Sequence, residues 1–81
     1  MRENDISFKI RAAIFKVYNE LGPGLLESAY EVVLIQELKR LGLELKSQVT
    51  LPLIHDGFKM DVGYRIDILV ENMVILEIKS V

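Results

Sequence analysis

The stretch "RIDILVENMVILEIK", residues 65–79, reads as two apolar strands joined by a tight turn around Glu71 and Asn72. Side chains alternate between the two surfaces of a strand, so Ile66, Ile68 and Val70 share one surface, and Val74, Leu76 and Ile78 share one as well. These residues form a wholly apolar face that must be buried. The other face carries Arg65, Asp67, Leu69, Ile75, Glu77 and Lys79, a mixture that burial does not explain. Glu77 and Lys79 share a surface because they are two apart. Turn length decides whether Asp67 joins them: a three-residue turn centred on Asn72 sets Asp67 opposite Glu77, whereas a two-residue turn pairs it with Leu76.

Upstream, "FKMDVGYRIDILV" (58–70) makes the first of these strands long, with a kink at Gly63. "QVTLPLI" (48–54) is β-branched and partly alternating, and Pro52 marks it as an edge strand or the site of a bulge, with "HDG" (55–57) as a turn. "MVILEIKSV" (73–81) is the partner strand at the C-terminal side. The first half of the chain is helical instead. From about Asp5 to Leu21, Ile6, Ile10, Ala13, Ile14, Val17 and Leu21 fall at helical spacing, with Asn4, Asp5 or Ser7 as caps and "GPG" (22–24) as the stop. A second helix runs from about Leu25 to Leu41 and closes at Gly42. The order α-α-β-β-β gives an α+β class: two N-terminal helices followed by a three-stranded, mainly antiparallel sheet.

The chain has 81 residues, which is one small domain, and 51% of them are hydrophobic, which argues for a folded chain and against disorder. That apolar fraction is high for the length, so exposed sheet is expected to be covered either by a homo-oligomer or by a further segment. Cysteine is absent, which excludes disulfides and thiolate metal sites and fits a reducing cytoplasm. Met1–Asp5 is polar, unlike a signal peptide, and no apolar run approaches the roughly 20 residues that cross a bilayer, so no membrane role is expected. The formal charge of −2 excludes a polycation, so a nucleic-acid ligand has to be met locally or through metal ions.

Two features stand out. In helix two, Tyr30, Leu34, Leu38 and Leu41 fall within about 80° of one another at 100° per residue, and Glu27 points into the same stripe. A carboxylate on a core face is costly unless paired, hydrogen-bonded or bound to a metal. The alternative places Glu27 in a wet first turn, where the helix dipole favours an acid. The second feature is the acid pair of the hairpin. With the odd turn, Asp67 and Glu77 lie about 5 Å apart at Cβ, where ionised carboxylates repel unless a cation lies between them. A hard ion such as Mg²⁺ wants such oxygens, and a neighbouring Lys79 can neutralise a phosphate or hold a water. The plain alternative is an exposed strand face with an incidental charge pattern.

An Asp on one strand followed by Glu-x-Lys on the next resembles the signature of the PD-(D/E)xK nuclease superfamily, here Asp67 and "EIK" at 77–79. "GLLESAY" (Gly24, Glu27, Tyr30) resembles the motif that names the GxxExxY proteins, a bacterial family of that superfamily, and "GYRIDILVENMVILEIKSV" (63–81) resembles its second block. The resemblance implies Asp67 and Glu77 as ligands of Mg²⁺ or Mn²⁺, with the carbonyl of Ile78 as a third. It also implies Lys79 as the residue that activates or positions water, and Glu27 as an accessory helix-borne acid. Tyr30 supports Glu27 or packs, and packing is the expectation. The superfamily core usually continues with a further helix and strand, so residues 1–81 are expected to form a truncated restriction-endonuclease-like core.

Other candidates carry less. His55 sits alone in a turn without partners for a zinc site. "GPG" lacks the following Lys-Ser/Thr of a phosphate loop, and Ser28, Ser47 and Ser80 have no His and Asp in context. Arg65 shares the face of Asp67 and can meet a phosphate. The resulting expectation is metal-dependent hydrolysis of DNA phosphodiester bonds. The alternative is a non-catalytic nuclease-fold scaffold that binds a protein or nucleic acid.

Overall fold

The computed structural model describes residues 3–79, with residues 61 and 62 described by their backbone alone. Ser80 and Val81, the end of the expected last strand, lie outside the described residues. Helix α1 spans Glu3–Leu21 and buries Ile6, Ile10, Ala13 and Val17, the spacing of a single helical stripe. It stops where Gly22 takes φ +73° and donates its N–H to the Tyr18 carbonyl at 2.9 Å.

Helix α2 spans Glu27–Arg40 and buries Tyr30, Leu34 and Leu38. It begins two residues later than its composition suggests, for a local reason. The N–H of Leu25 is taken by the Tyr30 hydroxyl at 3.2 Å, and Leu26 is extended, with φ −64° and ψ 149°. The far end closes as a Schellman motif: Leu43 N–H reaches the Leu38 carbonyl, Gly42 N–H reaches that of Lys39, and Gly42 holds φ +83°.

Strands β1 (Leu45–His55), β2 (Phe58–Val70) and β3 (Val74–Leu76) form one antiparallel sheet in the order β1-β2-β3. The β1–β2 turn is the two-residue Asp56-Gly57 type with both φ positive, so His55 belongs to the strand. Pro52 lies on edge strand β1, and the register shifts between Pro52 and Leu53. Its partner is Gly63, where a Cβ would overlap the Leu51 carbonyl oxygen; only glycine lets the strands approach there.

Both helices cover one face of the sheet. Ile68, Val70 and Ile78 join the buried residues of α1 and α2 and Leu43 in one cluster, and Ile66 is buried beside them. Each such side chain contributes roughly 1.5–3 kcal/mol through removal from water. No buried side chain among the described residues is charged, and no buried side-chain N or O lacks a hydrogen-bond partner. No helix of the described residues is long and apolar enough to cross a membrane.

Lys16 of α1 reaches Glu37 of α2 at 3.2 Å, and Arg40 donates to the same carboxylate. These cations, the Arg40 hydrogen bond foremost, hold the Glu37 carboxyl down at about 2. A depressed carboxyl stabilises the fold above its unfolded value, and that contribution disappears as pH falls towards about 2. Thermal melts of Glu37→Gln are therefore expected to show a shallower loss of stability than the parent between about pH 4.5 and 2. Equal slopes would exclude this pair as an acid-sensitive link.

Candidate metal and phosphate site

The turn between β2 and β3 settles where the acids lie. Glu71 and Asn72 adopt left-handed φ of 53° and 55°, and Met73 N–H donates to the Val70 carbonyl at 3.0 Å. Such a turn fits the right-handed twist of the strands, and Met73 makes the loop three residues long. Glu71 is held in place because its N–H donates to the Glu44 carbonyl at 2.8 Å while its carboxylate accepts the Glu44 N–H. The ladder therefore pairs Val70 with Val74, Leu69 with Ile75 and Ile68 with Leu76. Continued by one step past the last pair, this register sets Asp67 across from Glu77, and the Ile78 N–H bond to Asp67 keeps the two segments together there. This is the odd register that the acid pair requires.

The strand itself ends sooner than expected. β3 stops at Leu76, and residues 77–79, "EIK", lie just past the ladder. Asp67 is the reason, since its Oδ2 accepts the Ile78 N–H at 2.8 Å, replacing the main-chain acceptor a strand would use. Other contacts keep the segment beside β2. Ile78 is buried in the core, the Tyr18 hydroxyl donates to the Lys79 carbonyl at 3.2 Å, and the Tyr64 hydroxyl donates to Glu77 Oε1. The bond from Tyr64 to Glu77, together with the charges of Glu77 and Asp67, holds the phenol above its ordinary value, so it stays a donor. Asp67 is half-buried, whereas Glu77, Lys79 and Arg65 are exposed. Glu77 and Lys79 also line a hollow of about 300 Å³ between Ile14, Tyr18 and Leu34 of the helices and the chain from Leu76. A hollow of about 440 Å³ at the opposite end of the sheet, by Glu44 and Asn72, holds none of these residues.

Glu27 occupies a different setting from the core-facing one that its helical angle suggests. It is the first residue of α2 and is exposed. The positive helix end favours it there. Its charge still reaches Tyr18, whose phenol is raised first by burial and then by Tyr30 and Glu27. Tyr30 packs: it is fully buried, stacks on Tyr18 with ring centroids 4.5 Å apart, and donates to the Gly22 carbonyl at 2.6 Å. Among the described residues no group of three or more His, Cys, Asp or Glu side chains converges as a metal cage. Among the described residues His55 reaches Asp56 alone, at 3.4 Å.

Residue patterns pointed to neither Tyr64 nor Tyr18, since each contact spans elements distant in sequence. Gln48 was also missed. Its place in the β1 ladder falls opposite Asp67, yet its φ is 54°, the pairing skips it, and its Nε2 donates to both Glu31 carboxylate oxygens at 3.0 Å. A left-handed glutamine costs about 1–2 kcal/mol, and it commits this side chain to α2 instead of Asp67.

The donor set suits a hard cation. Asp67 and Glu77 supply two carboxylates, each with one oxygen engaged by a neutral donor and, among the described residues, a second oxygen without such a donor. Mg²⁺ commonly takes one or two carboxylates, with water and phosphate oxygens completing its shell. No curated protein and no solved structure matches the chain. A family model described as the PD-(D/E)XK nuclease superfamily matches residues 4–81, spanning both helices, the sheet and the Asp67–Glu77–Lys79 set. With nearly its whole length inside that match, this chain belongs to the PD-(D/E)XK nuclease superfamily.

Proposed function

We propose that the domain hydrolyses phosphodiester bonds of DNA with the help of Mg²⁺ or Mn²⁺, and that within the superfamily it is a GxxExxY protein, on the strength of Gly24, Glu27 and Tyr30. The observation that carries the reading is the three-residue turn, which sets Asp67 across from Glu77 with Lys79 two residues on. Asp67 and Glu77 would hold the ion, with the Ile78 carbonyl as a further ligand. When bound, the ion supplies positive charge to the phosphate and acidity to water.

The chain's own groups do the rest. Asp67 fixes the 77–79 segment through Ile78 N–H, and Tyr64 orients the Glu77 carboxylate. The Lys79 ammonium positions the attacking water or neutralises a phosphate oxygen, and Arg65 holds a neighbouring phosphate. Glu27 serves as an accessory acid from the end of α2. Water forms the new P–O bond as the bond to the leaving sugar oxygen breaks, and that oxygen takes up a proton.

Calorimetric titration with Mn²⁺ and Mg²⁺ tests the reading. Asp67→Ala and Glu77→Ala are each expected to weaken binding at least about tenfold while circular dichroism stays unchanged. Binding indifferent to both changes would defeat it. A second reading, a scaffold that keeps the fold and binds a partner without cleaving, is favoured by one observation: no third acid joins the pair among the described residues. Metal binding without DNA nicking would select it.

A further inference from the structure

The inner half of the β1–β2 hairpin lies under the helices, but the outer half runs beyond them. Residues 51–60 are all exposed, and the molecule reaches 46 Å along its longest axis. The register shift at Pro52 moves the pairing by two residues, from Pro52 with Gly63 to Leu53 with Met60, so the alternation of faces survives it. The surface that buries Ile66 and Ile68 therefore continues outward as Tyr64, Leu51, Leu53, Met60 and Phe58. These five are 36% to 71% exposed, whereas the two isoleucines are at most 1% exposed. The opposite surface of the same arm carries Ile54, Lys59 and Arg65.

We propose that this apolar arm face is the interface of a homodimer and that its occupant is the same face of a second copy. Two observations favour a second copy. The outer positions Leu51, Leu53, Met60 and Phe58 bear no charge, and the nearest carboxylate, Glu77 bonded to Tyr64, lies at the inner edge of the face, so two outer faces oppose each other across a two-fold axis without like-charge contact. His55, opposite Phe58, is the one basic side chain described on this surface, and the lack of Lys and Arg there among the described residues argues against nucleic acid as its occupant, since such binding rests on Lys and Arg contacts to phosphate. Area also fits: the five side chains present roughly 500 Å² per copy, so opposed faces bury about 1,000 Å², the lower bound for specific association. Pro52 blunts the β1 edge, which leaves face-to-face packing as the mode of contact.

Sedimentation equilibrium of the whole chain from about 1 to 200 μM tests this, independently of whether the acid pair cleaves DNA. The parent is expected to be dimeric at the upper concentrations. Phe58→Asp and Leu53→Asp are expected to weaken association at least tenfold while keeping the parent's circular dichroism. Ile54→Asp, on the opposite face of the same arm, leaves the dimer intact, as does Asp67→Ala. A parent chain that stays monomeric throughout, or an Ile54→Asp variant as dissociated as Phe58→Asp, would overturn the assignment.

Discussion

Nicking of supercoiled plasmid by Lys79→Ala is expected to fall by at least about 100-fold, with Mn²⁺ affinity within about twofold of the parent. An ammonium aimed at charge that develops in the transition state typically contributes that much. The variant is informative because the side chain is exposed while the segment bearing it is held by other groups. Ile78 is buried, its N–H is bonded to Asp67, and the Lys79 carbonyl, which alanine keeps, accepts the Tyr18 hydroxyl. Truncation therefore removes the charge and leaves the acid pair in place. Lys79→Arg, which restores charge on a broader and differently shaped group, is expected to recover only part of the loss. A parent that nicks DNA and a Lys79→Ala variant that nicks it equally well would remove Lys79 from the reaction.

The largest effect on stability is expected at Tyr30. Tyr30→Ala should cost about 3–5 kcal/mol, since it deletes a fully buried ring and leaves a cavity against Tyr18 and Leu34. A domain of this size has roughly 4–12 kcal/mol in total, so the melting temperature should drop by more than about 12 °C, and the protein approaches unfolding at ambient temperature. Tyr30→Phe separates the two contributions. It retains the ring and removes the hydroxyl that bonds the Gly22 carbonyl and the Leu25 N–H, at a cost of about 1–3 kcal/mol. If the phenylalanine variant melted with the parent, the hydroxyl would have no part in holding the 22–26 loop, and the start of α2 at Glu27 would need another cause.

Tyr30 also illustrates what is readable from residue order. Its packing role follows from spacing, because Tyr30, Leu34 and Leu38 repeat at the helical period. Its grip on Gly22 and Leu25 does not, because hydroxyl partners depend on where the loop lies in space. Glu27 shares the same angular stripe and yet is exposed, since an angle around a helix says nothing about how far along its axis the sheet reaches. The late start of α2 and the early end of β3 both come with a side chain holding the main chain beside the element: Tyr30 binds the Leu25 N–H of the extended loop, and Asp67 takes the Ile78 N–H from the ladder.

Periodicity, a local property of covalent geometry, was enough to establish two helices, three strands and the apolar face of the last hairpin, and it predicts a shared surface for Glu77 and Lys79. Whether Asp67 stood with them depended on one residue of turn length. Tertiary structure decided that, through Glu71 and Asn72 in left-handed conformations and the main-chain bonds between Glu71 and Glu44, which lie far apart in the chain. It also decided that the outer arm, apolar by the same alternation as the core, has no helix above it. Residue order sets which side chains share a face; only packing sets which part of that face is covered.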